Sequence, residues 1–224
     1  MTWGCGVLLC LVVAAPCTAG SGEKHIIDFD HVSAGVLPSD WESAMTKTGG
    51  EPAWAVRRDD TAPSKPNVLA QTSADRTAGR FPLAVYRGAR FLNGEVSVRF
   101  KPISGTIDQA AGLVWRYVDR NNYYIVRANA LENNVVAYKV LNGERTSLAP
   151  RGMPSRSYGV RHPVPKLVWS ELKVDFNGSL AVVYLNQEKL FDLDDTTFAG
   201  AGRVGLWTKA DSVMYFDDFT FSAR

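Results

Sequence analysis

Downstream of Ser21 the apolar and polar positions alternate with a period of two, the pattern of half-buried strands. The segments GEVSVRF (94–100), AGLVWRY (111–117), NYYIVRAN (122–129), VVAYKVL (135–141), LKVDF (172–176), LAVVYL (180–185), RVGLW (203–207) and MYFDDFTF (214–221) all read as strands. Asn93-Gly94, Asn142-Gly143 and Asn177-Gly178 lie between them, and an Asn-Gly pair supplies the positive φ angles of a type I′ hairpin turn. Asn186-Gln187 separates VVYL from KLFDL in the same manner. No stretch longer than a turn or two carries a helical period. Hairpin following hairpin predicts an all-β fold, a two-sheet antiparallel jelly-roll sandwich from about His25 to Phe221. The opening segment IIDFD (26–30) and the closing segment YFDDFTF (215–221) are expected to pair as neighbours, because the chain ends of compact domains often lie close together.

Two stretches break the rhythm. Residues 38–66 carry Gly49-Gly50, Pro52, Pro63 and Pro66 around one short strand candidate near Trp54. Residues 149–165 hold four prolines with Arg151, Arg156, Arg161 and His162. Both read as long surface loops, which in compact domains commonly carry function. No internal repeat interrupts the pattern.

Composition narrows the class without supplying a function. The chain has 224 residues, of which 46% are apolar and 21% charged, and its net charge is +2. That excludes wholesale disorder and gives no electrostatic reason to expect a nucleic acid partner. No apolar run approaches the roughly 20 residues of a membrane-spanning helix. Met1–Gly22 lacks charged side chains, Val7–Ala15 is continuously apolar, and Cys17 and Ala19 occupy the −3 and −1 positions of a cut after Ala19. This predicts a signal peptide over 1–19, a single domain over 20–224, and a secreted or periplasmic protein. All three cysteines (Cys5, Cys10, Cys17) fall in the leader, so the expected mature chain offers no disulfide, cysteine nucleophile or thiolate metal site.

The run FKPISGTIDQAAGLVWRYVDRNNYYIVRANALENNVVAYKVLNGER (100–145) resembles secreted bacterial jelly rolls of the laminin-G-like, concanavalin-A-like class. It is most similar to the 3-keto-disaccharide hydrolase group, also described as family-16 glycoside-hydrolase-like domains. VYLNQEKLFDLDDTTFAGAGRVGLWTKADSVMYFDDF (183–219), with DFD (28–30) and LPSDW (37–41), fits the rest of the pattern in order. The resemblance implies a jelly roll and a carbohydrate substrate class more firmly than a reaction. Jelly rolls of this class often hold a structural calcium ion, and Asp28, Asp30, Asp217 and Asp218 offer oxygen ligands on segments expected to adjoin.

Glycoside hydrolysis normally needs two carboxylates facing each other across the sugar bond. The usual family-16 strand reads E-x-D-x-x-E, and neither EVSVRF (95–100) nor ELKVDF (171–176) contains it. Asp108, Glu132 and Asp211 are the loop acids whose convergence would serve instead. There is no G-x-S-x-G elbow, no H-E-x-x-H and no phosphate-binding glycine loop. His25, His31 and His162 show no metal-ligand spacing.

Strand parity identifies a binding surface. Leu113, Trp115 and Tyr117 share one face of their strand, and Arg116 the other; Tyr123, Arg127 and Asn129 oppose Tyr124, Val126 and Ala128. Lys139 opposes Val136, Tyr138 and Val140; Trp207 and Lys209 oppose Val204 and Leu206; Arg99 opposes Val98 and Phe100. Gathered on one concave face, Arg99, Arg116, Arg127, Lys139 and Lys209 would form a cationic floor beside Asn129, Tyr123 and Trp207, suited to a uronate-bearing glycan. If Asn129, Glu132 and Asp211 neutralise those cations in internal pairs, the same face suits a neutral sugar. Trp115 is expected in the core. Three functions follow: a non-catalytic glycan-binding domain, a glycoside hydrolase with an unusual carboxylate pair, or an adhesion module that contacts protein.

Overall fold

The computed structural model describes Met1 and residues 22–224, so the rest of the expected leader, with its three cysteines, lies outside the described residues. Among the described residues sixteen strands follow in chain order: β1 (His25–Ile27), β2 (Trp41–Thr46), β3 (Trp54–Arg58), β4 (Asn67–Gln71), β5 (Phe81–Tyr86), β6 (Gly94–Ser104), β7 (Ala110–Asp119) and β8 (Asn122–Asn129). The second half contributes β9 (Asn134–Leu141), β10 (Glu144–Leu148), β11 (Val160–Arg161), β12 (Ser170–Asn177), β13 (Leu180–Leu185), β14 (Glu188–Asp194), β15 (Arg203–Thr208) and β16 (Val213–Ala223). Among the described residues there is no helix, and hence none long and apolar enough to cross a membrane.

The strands form two antiparallel sheets of eight. The first runs β14-β13-β12-β6-β16-β4-β3, with β1 also on β16; the second runs β10-β9-β8-β7-β15-β5-β2, with β11 also on β9. The chain ends pair as expected, His25 opposite Phe221 and Ile27 opposite Phe219. Every strand read from the alternation is present. The alternation did not reveal β2, β4, β5, β10 or β11; β2 and β3 fall within residues 38–66, and β11 within residues 149–165, the two stretches expected to be loops.

Turn chemistry agrees in part. Asn142 and Gly143, with φ of 53° and 81°, join β9 to β10, and Asn186 and Gln187, at 49° and 69°, join β13 to β14. Between β12 and β13 only Gly178 has positive φ (59°) and Asn177 pairs with Leu180, so the turn is Gly178-Ser179 in the II′ manner. Asn93-Gly94 is no hairpin turn: it lies on the crossover from β5 in the second sheet to β6 in the first.

The facing sides of the sheets bury Trp41, Trp54, Val98, Phe100, Leu113, Trp115, Val126, Leu206 and Phe216. A second apolar layer covers the outer face of the second sheet, from Phe81, Leu83 and Val85 across Trp207, Val114, Tyr123 and Ile125 to Val136, Tyr138 and Val140. These central strands are therefore buried on both faces.

Candidate functional site on the outer face of the second sheet

The site is a cross-strand row. Trp207 on β15 lies opposite Gly112 on β7, which lies opposite Arg127 on β8, which lies opposite Val136 on β9. A side chain at position 112 would meet Ile125 and the Val126 carbonyl at 3.1 Å, so glycine keeps the floor between indole and guanidinium low. Phe81 stacks on Trp207 with centroids 5.4 Å apart. The Arg145 guanidinium from edge strand β10 lies 4.4 Å from the Tyr138 ring centre, 4.7 Å from Phe81 and 5.6 Å from Trp207. Trp207 and Tyr123 are accordingly 0% exposed and Arg127 1%. The expected open aromatic platform is instead a sealed layer. It is sealed because β5, β9 and β10 contribute large side chains to the same face.

Access is left at the upper end of this row. Arg127 donates to Asn134 Oδ1 (2.7 Å), to Glu132 Oε2 (2.8 Å) and to the Tyr158 hydroxyl (3.1 Å). The Tyr158 and Tyr138 hydroxyls are 2.5 Å apart. Gly159, at φ 59°, makes this contact possible: a Cβ there would lie 2.1 Å from the Val135 carbonyl. Glycine lets the 149–160 loop lie against β9 and lowers Tyr158 onto the arginine. Beside it Asp108 accepts from Asn129 Nδ2 and from Lys209 Nζ, both at 2.5 Å. Asn129 Oδ1 accepts the Leu131 and Glu132 N–H groups, setting the β8–β9 turn that carries Glu132. Burial tends to raise the Glu132 pKa, but Arg127, Asn134 and Lys209 together hold it below the ordinary value. Glu132 therefore stays an acceptor at neutral pH.

The sequence-derived residues divide sharply. Tyr123, Arg127, Asn129, Trp207 and Lys209 share this face, and Asp108 and Glu132 join them at its rim. Arg99 does not: β6 belongs to the first sheet, where Arg99 lies 3.4 Å from Asp218. Lys139 faces the inter-sheet side and bonds Asp195 and Thr197 at 2.9 Å. Parity had paired it correctly, but the face of β9 bearing Val136 and Tyr138 turned out to be the outer one. Arg116 is displaced by a β-bulge after Trp115, where its φ is 48°. The bulge turns Arg116 inward and Tyr117 outward, against their expected parity. Asp211 accepts the Thr106, Ile107 and Asp108 N–H groups, which hold its pKa low against burial and brace the loop. No shared cationic floor exists: Arg99, Arg127, Lys139 and Lys209 each have a carboxylate partner. Tyr158, Asn134, Tyr138 and Arg145 were missed. The available signal was a tyrosine followed by glycine inside the long loop singled out for function.

Asp28, Asp30, Asp217 and Asp218 gather as expected near the β1–β16 contact, but their oxygens are engaged by protein donors. Ser64 N–H donates to Asp217 (2.8 Å), Ser64 Oγ to Asp218 (2.6 Å), Asn67 N–H to Asp30 (2.9 Å) and Asp30 N–H to Asp28 (3.1 Å). Among the described residues no three His, Cys, Asp or Glu side chains are disposed to hold a metal ion. Asp217 is fully buried, and burial raises its pKa to about 7, with Asp218 and Asp30 acting in the same direction. An unfolded aspartate ionises near 3.9, so the native state binds an extra proton between about pH 4 and about pH 7. This group's contribution to stability is therefore lost as pH rises through that window. Asp217→Asn is expected to gain melting temperature relative to the unaltered protein from pH 4 to 7, then level off. A difference that does not vary with pH would contradict this.

No protein-family model matches the sequence, and no curated protein matches it significantly. Solved structures do. The chain is similar to carbohydrate binding module CBM66 from Bacillus subtilis, with a TM-score of 0.62 and 18% identity over 82% of this chain and 96% of that one. It is similar to Cip1, a cellulose-induced protein, with a TM-score of 0.61 and 10% identity over 89% and 97%. Against the GH43 protein BlXynB of Bacillus licheniformis the TM-score is 0.57 at 16% identity, over 89% of this chain but 39% of the other. These likenesses show a jelly-roll fold of the kind found in carbohydrate-binding modules.

Proposed function

We propose that this chain is an exported carbohydrate-binding domain that takes a neutral sugar at the rim formed by Glu132, Asn134, Tyr158 and Lys209. The observation that carries the reading is Tyr158. It is 49% exposed, yet fixed by Arg127 and Tyr138, beside a carboxylate, an amide and an ammonium. A ring face next to convergent donors and acceptors matches the C–H faces and hydroxyls of a sugar. The internal pairs Arg127–Glu132 and Lys209–Asp108 cancel the local charge, which favours a neutral ligand over a uronate here. The carbohydrate-binding module among the structural neighbours supports the class. Membership of the 3-keto-disaccharide hydrolase group belongs to the same proposal; the carboxylates of Asp28, Asp30, Asp217 and Asp218, already bonded to protein donors, do not fit a calcium ion. Melting is expected to be the same in calcium and in chelator, and a rise with calcium would contradict this.

A hydrolase is the second reading. Asp108 bonds Lys209, whose charge also lowers the Glu132 pKa, so two carboxylates approach one ammonium at the rim. Asp108 is 1% exposed and fully engaged, which weakens its claim to touch a sugar. A glycan-array screen of the purified protein, with product analysis of each hit, separates the readings. Retention of intact neutral glycans is expected; release of shorter sugars would make it an enzyme, and silence across the array would overturn the proposal.

A further inference from the structure

Arg116 is the one cation of the expected floor that the fold leaves without an acid. It is 3% exposed, and no carboxylate among the described residues lies within ion-pair distance. Its guanidinium donates only to backbone carbonyls: Phe198 at 2.6 Å, Leu92 at 3.2 Å and Gly178 at 2.5 Å. Guanidinium carries five N–H donors, and Nε has no partner at all. A buried charge matched by dipoles alone is costly to keep. The fold nevertheless enforces it. The bulge at φ 48° re-aims the side chain, and Gly202 must lack a Cβ, which would come within 2.3 Å of the Arg116 backbone.

Arg116 lines a cleft of about 240 Å³ together with Leu92 and Asn93, the Asn177–Ser179 turn, Thr196 and Ala199. The walls are pinned, Gly178 N–H on Asn93 Oδ1 at 2.9 Å and Asp195 N–H on the Ser179 carbonyl at 3.0 Å. None of the lining residues is acidic, and the nearby Asp195 is held by Lys139. Neutral hydrogen-bonding groups around one unmatched cation select a negative charge. The volume is below the roughly 300–1,000 Å³ usual for drug-sized ligands, which limits the occupant to about one sugar residue. We infer that this cleft is a second ligand site, for a small carboxylate of monosaccharide size, with Arg116 as the counter-charge. The site is separate from the Tyr158 rim and does not depend on it.

Calorimetric titration with glucuronate, and with glucose as its neutral counterpart, tests the inference. In a Tyr158→Ala background, where the rim no longer takes neutral sugar, the cleft is expected to bind glucuronate and to show no comparable uptake of glucose. Arg116→Gln should weaken glucuronate by about tenfold or more, the scale of a lost charged hydrogen bond. Because Arg116 also ties three segments together, Thr196→Trp, which fills the exposed mouth, provides a loss independent of folding. Tyr158→Ala should leave glucuronate binding unchanged. Absence of glucuronate binding, binding that survives Thr196→Trp, equal binding of glucose in the Tyr158→Ala background, or loss of glucuronate on Tyr158→Ala would each overturn the assignment.

Discussion

Trp207→Ala is expected to destabilise the fold by about 3–5 kcal/mol, the range for deleting a large buried aromatic side chain. The indole is 0% exposed, with Phe81 stacked on it and Gly112 opposite it in the adjoining strand. Neither neighbour can move in: Gly112 has no side chain, and Phe81 is fixed in β5 next to the apolar Leu83 and Val85 layer. Arg145 would lose one of the three rings that shelter its guanidinium. The loss should appear as a lower denaturation midpoint at an unchanged slope. Near-normal stability with abolished sugar binding would instead return Trp207 to the role of an exposed platform.

Arg127→Ala is expected to cost about 2–4 kcal/mol, because a buried charged donor with three partners is removed. The figure stays below that of a fully buried ion pair, since Glu132 is 39% exposed and can regain water. The functional loss should be larger than the stability loss suggests. Glu132, Asn134 and Tyr158 all hang on this guanidinium, so its removal releases three rim groups at once. Arg127→Lys should fail to restore binding, because a single ammonium cannot serve acceptors spread around a planar fork. Neutral-sugar binding by the unaltered protein should also be nearly insensitive to salt, as its cations are already paired internally. Wild-type affinity in Arg127→Ala, or a steep salt dependence, would contradict this site.

The sequence was most legible where one face of a strand meets the core and the other meets a turn-bounded rim. The alternation of LKVDF and LAVVYL located β12 and β13, and Asn142-Gly143 located the β9–β10 hairpin. It was least legible where both faces are apolar. NYYIVRAN and VVAYKVL state which residues share a side, but not which side faces the other sheet, so Lys139 was placed outside when it points between the sheets. Arg99 was grouped with Arg127 because parity carries no record of which sheet a strand joins. Arg116 escaped for a different reason: one bulged residue reverses parity beyond it, and nothing in the local composition of Trp115-Arg116-Tyr117 announces the bulge. Tyr158 was out of reach of periodicity altogether, since it reaches the site from a loop through a left-handed glycine.

Whether sugar is held at the Tyr158 rim is read out by amide and side-chain chemical-shift mapping with cello- and xylo-oligosaccharides. Shift changes are expected only at Glu132–Asn134, Tyr158 and Lys209, abolished in Tyr158→Ala and intact in Arg99→Ala. Shifts centred on Arg99 and the outer face of the first sheet, or shifts that persist unchanged in Tyr158→Ala, would contradict it.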